Sequence, residues 1–260
     1  METATRIREA RHEAALSVRL SRAPDDVIAA QRLRHLCFIE SAGLPPRAQG
    51  LDRDGFDDAC LHLLVEDRAG HLLGCCRILP LASGAALADS YAALHYDLAP
   101  LAPHAAPMAE IGRFCLHPDA PAADGLRLAW AAITRLVDAR GIAMLFGCAS
   151  FPGADPARHL PALAQLARHH LGPEGQRPAR DLREAVFPYA AALAGAVASP
   201  AGLPPLLRSY LGLGGWVGDH AVIDHDLDTL HVFTALPVAS VPAARAQRLR
   251  DLAHQVNVGV

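Results

Sequence analysis

The chain of 260 residues contains no lysine, so all 24 of its basic residues are arginine. That excludes Schiff-base chemistry and any lysine nucleophile. A basic excess is missing too. The arginines face 27 acidic residues, and a formal charge of −3 gives no positive field for nonspecific nucleic-acid binding. No two cysteines stand at CxxC spacing, which argues against zinc ribbons and thioredoxin-type dithiols. The longest apolar stretch, 185–197, is interrupted by Pro188 and falls short of the ~20 residues a spanning helix requires. The first residues carry Arg6, Arg8, Glu9 and Arg11 where a signal peptide would have an apolar core.

What is present is ordinary for a globular enzyme, with 52% hydrophobic and 20% charged residues. The expectation is a cytoplasmic protein without a spanning segment, peripheral to a membrane at most. Cys37, Cys60, Cys75, Cys76, Cys115 and Cys148 lie in or beside apolar runs and read as reduced, buried thiols. The absence of a ligand-spaced cluster predicts no metal.

Hydrophobic periodicity divides the chain. Residues 15–22 alternate as a strand, and Pro24-Asp25-Asp26 opens a helix running toward Gly43. Segments 60–67 and 71–79 form a hairpin about Arg68-Ala69-Gly70. An irregular, Ala- and Pro-rich stretch leads to a strand at 108–117. Then come a helix over 125–140, a buried strand at 142–149 and a helix over 155–170 capped by Asp155. A helix near 203–213 precedes strands at 216–223 and 230–237. This order predicts an α+β (α/β layered) domain over 15–238, with an extension at 1–14 and a tail at 239–260.

Four polar clusters interrupt these apolar elements. Arg34 and Phe38 share one helical face. Asp54 and Asp57 bracket Phe56 just before a strand, which suits either a small cation site or Asx turns. Arg77 ends an apolar run and needs a partner, because an unpaired buried charge is costly. It fits an ion pair or an anion site. Glu110, Arg113 and Phe114 lie within a strand. Strict alternation puts the two charges on opposite faces, and a bulge near Gly112 would bring them together. Elsewhere, Asp224-His225-Asp226 reads as a turn or a cation site. His169-His170 reads as a helix end rather than a chelate.

The order and spacing of Arg34/Phe38, Asp54/Asp57, Arg77 and Glu110/Arg113 resemble the autoinducer-synthase-like branch of the GNAT acyltransferases. The absence of a Trp near Gly43 departs from the homoserine-lactone synthases. The closer resemblance is to the ornithine-lipid-synthesis N-acyltransferases, carried by FDDACLHLLVEDR (56–68), YDLAPL (96–101), EIGRFCLHP (110–118), LFGCASFPGADP (145–156) and the 203–226 block. It implies a GNAT-like fold with a central mixed sheet flanked by helices. It also implies transfer of a 3-hydroxyacyl group from acyl carrier protein to the α-amino group of L-ornithine. Residues 117–130 hold only Gly125 where GNAT proteins commonly have a glycine-rich pyrophosphate turn. That fits a carrier's phosphopantetheine thioester, with no separate cofactor.

The resemblance sets expectations for the site. Glu110 would accept the amine proton directly or through water. A bulged strand at 110–114 would supply an N–H to the oxyanion. Arg113 would pair with Glu110 or hold the amino acid's carboxylate, and Asp54 and Asp57 would hold its δ-ammonium. Arg34, Phe38, Arg77 and Phe114 would complete the binding surface, with the acyl chain near Phe38, Leu145 and Phe146. Arg6, Arg8, Arg11 and the run from Arg245 to Arg250 are candidate contacts for an acidic carrier protein.

Overall fold

The structure, a computed structural model, describes residues 16–255. Along the chain come β1 (Ser17–Ser21), α1 (Pro24–His35), β2 (Leu61–Glu66), β3 (Leu72–Leu81), β4 (Tyr96–Asp97) and β5 (Met108–Leu116). There follow α2 (Ala122–Arg140), β6 (Met144–Pro152), α3 (Leu160–His169), β7 (Ala179–Arg180), β8 (Val186–Pro188) and α4 (Tyr189–Gly195). Last are α5 (Pro205–Gly212), β9 (Trp216–Asp224), β10 (Thr229–Pro237) and α6 (Ala243–Gln255).

The chain divides into two compact units. The first holds the described residues up to Ile78, together with 113–139 and 246–255; the second holds 79–112 and 140–245. β3 and β5 each begin in one unit and end in the other. The expected extension at 1–14 lies outside the described residues. The tail contributes α6.

In the first unit, β1, β2 and the start of β3 pair antiparallel, with Ser17 opposite Glu66 and His62 opposite Arg77. The hairpin turn closes through Asp67, whose Oδ1 accepts from the N–H groups of Ala69 and His71. α1 starts with Pro24 at its first turn beside Asp25 and Asp26, where proline's missing N–H costs nothing and acidic groups meet the helix dipole. Its Ala30 and Leu33 pack on Leu64, Cys75 and Cys115. The helix ends in a π-helical turn over Leu36–Glu40, so the expected helix toward Gly43 is realised with a change of pitch. Among the described residues all six cysteines are free; Cys60, Cys75, Cys76 and Cys115 are buried and Cys37 and Cys148 half-buried.

In the second unit, β6 and β10 pair antiparallel, as do β10 with β9 and β9 with β8. β5 pairs parallel with β6, which makes the sheet mixed. One sheet face carries Ala149, Phe151, Leu230 and Val232 and packs against Leu163 and Leu166 of α3 and Tyr189 and Ala192 of α4. Alternation sends Phe146 and Phe233 to the other face, where their rings stack with centroids 6.1 Å apart. The parallel register comprises three pairs and ends at Glu110 opposite Phe146. One residue on, Gly147 has φ 155°, and a Cβ there would run into the Ile111 carbonyl oxygen. Glycine at this point therefore permits the close approach of the two strands at the end of their pairing.

β6 begins and ends later than the expected 142–149, because its ladder with β10 continues to Pro152 opposite Thr229. Asp155 caps as expected, its Oδ1 accepting from Ala157 N–H, but the first turn is 3₁₀ and α3 proper starts at Leu160. Asp224 makes the expected polar turn of the β9–β10 hairpin, accepting from the N–H groups of Asp226 and Leu227.

Candidate active site

The first unit contains a buried network of arginines and aspartates. Arg34 is fully buried on α1. Its Nε donates to Asp52 Oδ2 at 3.0 Å, and its two terminal nitrogens donate to Asp57 Oδ1 and Oδ2 at 2.8 and 3.0 Å. A further bond from Arg34 reaches the Asp52 carbonyl. Arg77, at the end of the hairpin, pairs with Asp54 and, at 3.2 Å, with Asp57. Its guanidinium also stands 5.7 Å from the Phe56 ring centre, within cation–π range. Arg113 reaches Asp52 at 3.1 Å and Asp54 at 3.5 Å. Arg47 closes the set on Asp52 Oδ1 at 3.1 Å.

The loop between α1 and β2 is folded around these charges. Asp52 N–H donates to the Gln31 carbonyl, Gln31 Nε2 donates to Asp57 Oδ2, and His62 Nε2 bonds the Asp57 carbonyl. Asp54 makes the expected Asx turn to Phe56 N–H, and its charge is met by Arg77 of the same chain. The expected irregularity of β5 falls one residue beyond Gly112: Arg113 itself has φ 52°. A left-handed arginine is strained, and Asp52 and Asp54 hold its side chain.

Four guanidinium groups here meet three carboxylates. Burial works against the Asp57 carboxylate, but hydrogen bonds and charge from Arg34, then Gln31 and Arg77, hold its pKa well below the usual range. Asp54 is likewise lowered, burial being outweighed by Arg77 and Arg113. Burial also opposes the Arg34 charge, and Asp57 and Asp52 more than compensate. Burial lowers the His62 pKa from the usual imidazole value, against the bond to the Asp57 carbonyl. The network opens to solvent at Asp54 and Arg47, whose side chains are 26% and 33% exposed.

A pH dependence follows. A carboxylate whose folded pKa is depressed contributes stability above its unfolded pKa, near 3.9, and that contribution is lost as pH falls toward the folded value. Asp57 and Asp54 act in this sense. So does Asp26, held at about 2 by Arg19 and, against burial, by Ser21. The protein should lose stability as pH falls below about 4. Circular dichroism of Asp57→Asn should show a less stable protein with a shallower acid limb. An unchanged limb would mean these pairs do not control acid unfolding.

Glu110 is buried in the second unit. Its Oε1 accepts from Ala92 N–H at 2.7 Å and its Oε2 from Tyr91 N–H at 2.9 Å. The carboxylate thereby caps the short 3₁₀ turn at Ala92–Leu94 and fastens the segment that continues into β4. Leu145 and Phe146 are buried in β6. In the first unit, Phe38 packs beside the cluster of Ala30, Leu33 and Cys75, and Phe114 is half-buried in β5. A Cβ at Gly125 would run into the Leu116 side chain, so glycine there lets the first turn of α2 approach β5. Of the candidate docking arginines, Arg6, Arg8 and Arg11 lie outside the described residues. Arg245 bonds the Gly212 carbonyl, and Arg250 pairs with Asp138 at 2.8 Å.

Four members of the network were not singled out from sequence: Gln31, Arg47, Asp52 and His62. Asp52 carried a readable signal. Three arginines in apolar surroundings demand carboxylates, and Asp52, Asp54 and Asp57 occupy one short loop.

Residues 33–131 match the family model described as an acetyltransferase (GNAT) domain. The chain is 35% identical over 226 residues to the L-ornithine N(alpha)-acyltransferase of Rhodobacter capsulatus, covering 83% of this chain and 87% of that protein. It is 32% identical over 241 residues to the protein of the same name from Agrobacterium fabrum, covering 87% and 82%. TofI, solved in a ternary complex with an inhibitor and MTA, is 19% identical with a TM-score of 0.47, covering 90% of this chain and 96% of its own. The chain is thus an acyltransferase with a GNAT fold. Within that class it belongs to the L-ornithine N(alpha)-acyltransferase family.

Proposed function

We propose that this chain acylates the α-amino group of L-ornithine, using the phosphopantetheine thioester of an acyl carrier protein as donor. The observation that carries the reading is identity of 30–35% to four proteins of that name, over 83–87% of the chain. The site's charges suit the acceptor. An amino acid with a cationic side chain brings one carboxylate and a δ-ammonium. Arg113 and Arg47 offer guanidinium groups to the carboxylate. Asp54, the aspartate of the network most open to solvent, would meet the δ-ammonium, while Asp57 supports it from beneath.

In the reaction the amine attacks the thioester carbonyl carbon and the thiol departs. The left-handed turn at Arg113 re-aims the peptide groups of β5, and one of their N–H groups would steady the developing oxyanion. A carrier's prosthetic arm presents one phosphate, which asks less of the α2 N-terminus than a pyrophosphate. The product carries an acyl chain, so contact with a membrane surface belongs to the same reading. No helix among the described residues is long and apolar enough to cross a membrane.

The test is release of free thiol from 3-hydroxyacyl carrier protein by the purified chain, offered ornithine, lysine or glutamine. Ornithine-dependent release is expected. No release with any of them, or preference for glutamine, would overturn the proposal.

A further inference from the structure

Arg34, Arg77 and Arg113 sit on α1, β3 and β5, whereas Arg47 meets Asp52 from a loop of the same unit. A buried histidine holds that loop by its backbone. The Arg47 N–H donates to His35 Nε2 at 3.1 Å. Pro45 and Pro46 have no N–H, so this is the first backbone donor the chain offers after Leu44. A backbone N–H can only donate, so Nε2 carries the lone pair and the ring proton sits on Nδ1. From there it is donated to Glu40 Oε1, 2.9 Å away.

The backbone is bent to make this contact. His35 and Glu40 are five apart, a spacing that a regular α-helix turns by about 140°. The π-helical turn over Leu36–Glu40 brings them together: Ser41 N–H donates to the Leu36 carbonyl, and Leu44 N–H to the Ile39 carbonyl. At the other end of the loop, Asp52 N–H donates to the Gln31 carbonyl of α1. The end of α1 therefore holds the segment 47–52 at both ends. Between these anchors Gln49 has φ 60°, a strained conformation that persists only where its surroundings over-determine it.

We propose that His35 and Glu40 are positioning residues that aim the Arg47 guanidinium at the acceptor's carboxylate. The inference rests on the acyl-transfer reading above. Arg47 is the arginine of the network most open to solvent, at 33%, against 12% for Arg113 and 4% for Arg77. One of its terminal nitrogens bonds Asp52 Oδ1, which leaves the other donors of the fork for a ligand. With its backbone held by the imidazole, Arg47 is ordered before the acceptor arrives, and binding costs less. The same arm makes the site select an amino acid over a plain diamine, because without the carboxylate Arg47 gains no partner.

The test is steady-state thiol release from 3-hydroxyacyl carrier protein, with ornithine or with 1,4-diaminobutane, which is ornithine without its carboxylate. Wild type is compared with His35→Ala, His35→Gln, Glu40→Ala, Arg47→Ala and the double variant His35→Ala/Arg47→Ala. His35→Ala should raise KM for ornithine about 10-fold, with kcat and KM for the carrier little changed. The preference for ornithine over the diamine should fall by the same factor. His35→Gln, whose Oε1 can accept the Arg47 N–H, should recover most of the loss. In the double variant KM should match that of Arg47→Ala, because the histidine acts through that arginine. Glu40 is 56% exposed, so Glu40→Ala keeps the fold, and it should raise KM for ornithine about 3-fold. That variant decides the matter if His35→Ala does not fold. Unchanged KM in Glu40→Ala or in a folded His35→Ala overturns the inference. An equal loss with the diamine, or a double variant worse than Arg47→Ala, overturns it too. Wild type that releases no thiol with ornithine overturns the acyl-transfer reading and this inference together, whereas the other failures leave that reading standing.

Discussion

Asp57→Ala should lower the thermal midpoint by roughly 10 °C. Asp57 accepts from Arg34 with both oxygens and meets Arg77, and both arginines are buried with it. Removing one partner of a buried ion pair leaves an uncompensated charge and costs about 3–5 kcal/mol. For a chain of this size each kcal/mol moves the midpoint by about 2–4 °C. Arg34 keeps Asp52, and Arg77 keeps Asp54, which places the expectation at the lower end. The control is Asp58→Ala, an exposed neighbour, where a change within about 0.5 kcal/mol is expected. Equal effects at the two positions, measured by calorimetry, would show that the network does not hold this unit together.

Gly147→Ala should cost both stability and activity. The backbone at Gly147 has φ 155°, which alanine adopts only with strain, and its Cβ would meet the Ile111 carbonyl. Strain and overpacking together cost about 3 kcal/mol. The carbonyl can yield only by moving β5 next to Glu110, and misplacement by about 1 Å near reacting groups lowers turnover about 100-fold. Gly141→Ala separates the causes: its φ is 60°, but nothing lies within 4 Å of the added Cβ. That variant should lose about 1–2 kcal/mol of stability and keep its turnover. Matching turnover in the two variants would mean that the close approach of β5 and β6 has no part in the chemistry.

Much of the fold was legible because its large elements have one clear period. The β2–β3 hairpin, β5, α2 and the β9–β10 hairpin all appear where alternation or helical spacing places them. β4, β7 and β8 were not readable, since strands of two or three residues exist only through pairing with distant partners. The apolar run at 185–197 shows the same effect: Pro188 divides it into β8 and α4, two elements too short to have a period of their own.

The site was legible where burial conflicts with charge. Arg34, Arg77 and Arg113 stand out in apolar surroundings, and their need for counter-charges leads to the 52–57 loop. Glycine's tolerance of unusual backbone pointed to Gly112 for the irregularity, but the tight hold of two aspartates lets Arg113 adopt it instead. The contact of Tyr96 with His231 gave no such signal. Tyr96 and His231 are 135 positions apart, and only the pairing of the second unit's strands and its loop brings them together.

The central claim is acylation at the α-nitrogen of ornithine. Tandem mass spectrometry of the product from purified protein, ornithine and 3-hydroxyacyl carrier protein tests it most directly. A single amide whose fragments retain a free δ-amine is predicted. An acyl group on the δ-nitrogen, or a product containing no ornithine, would contradict the account.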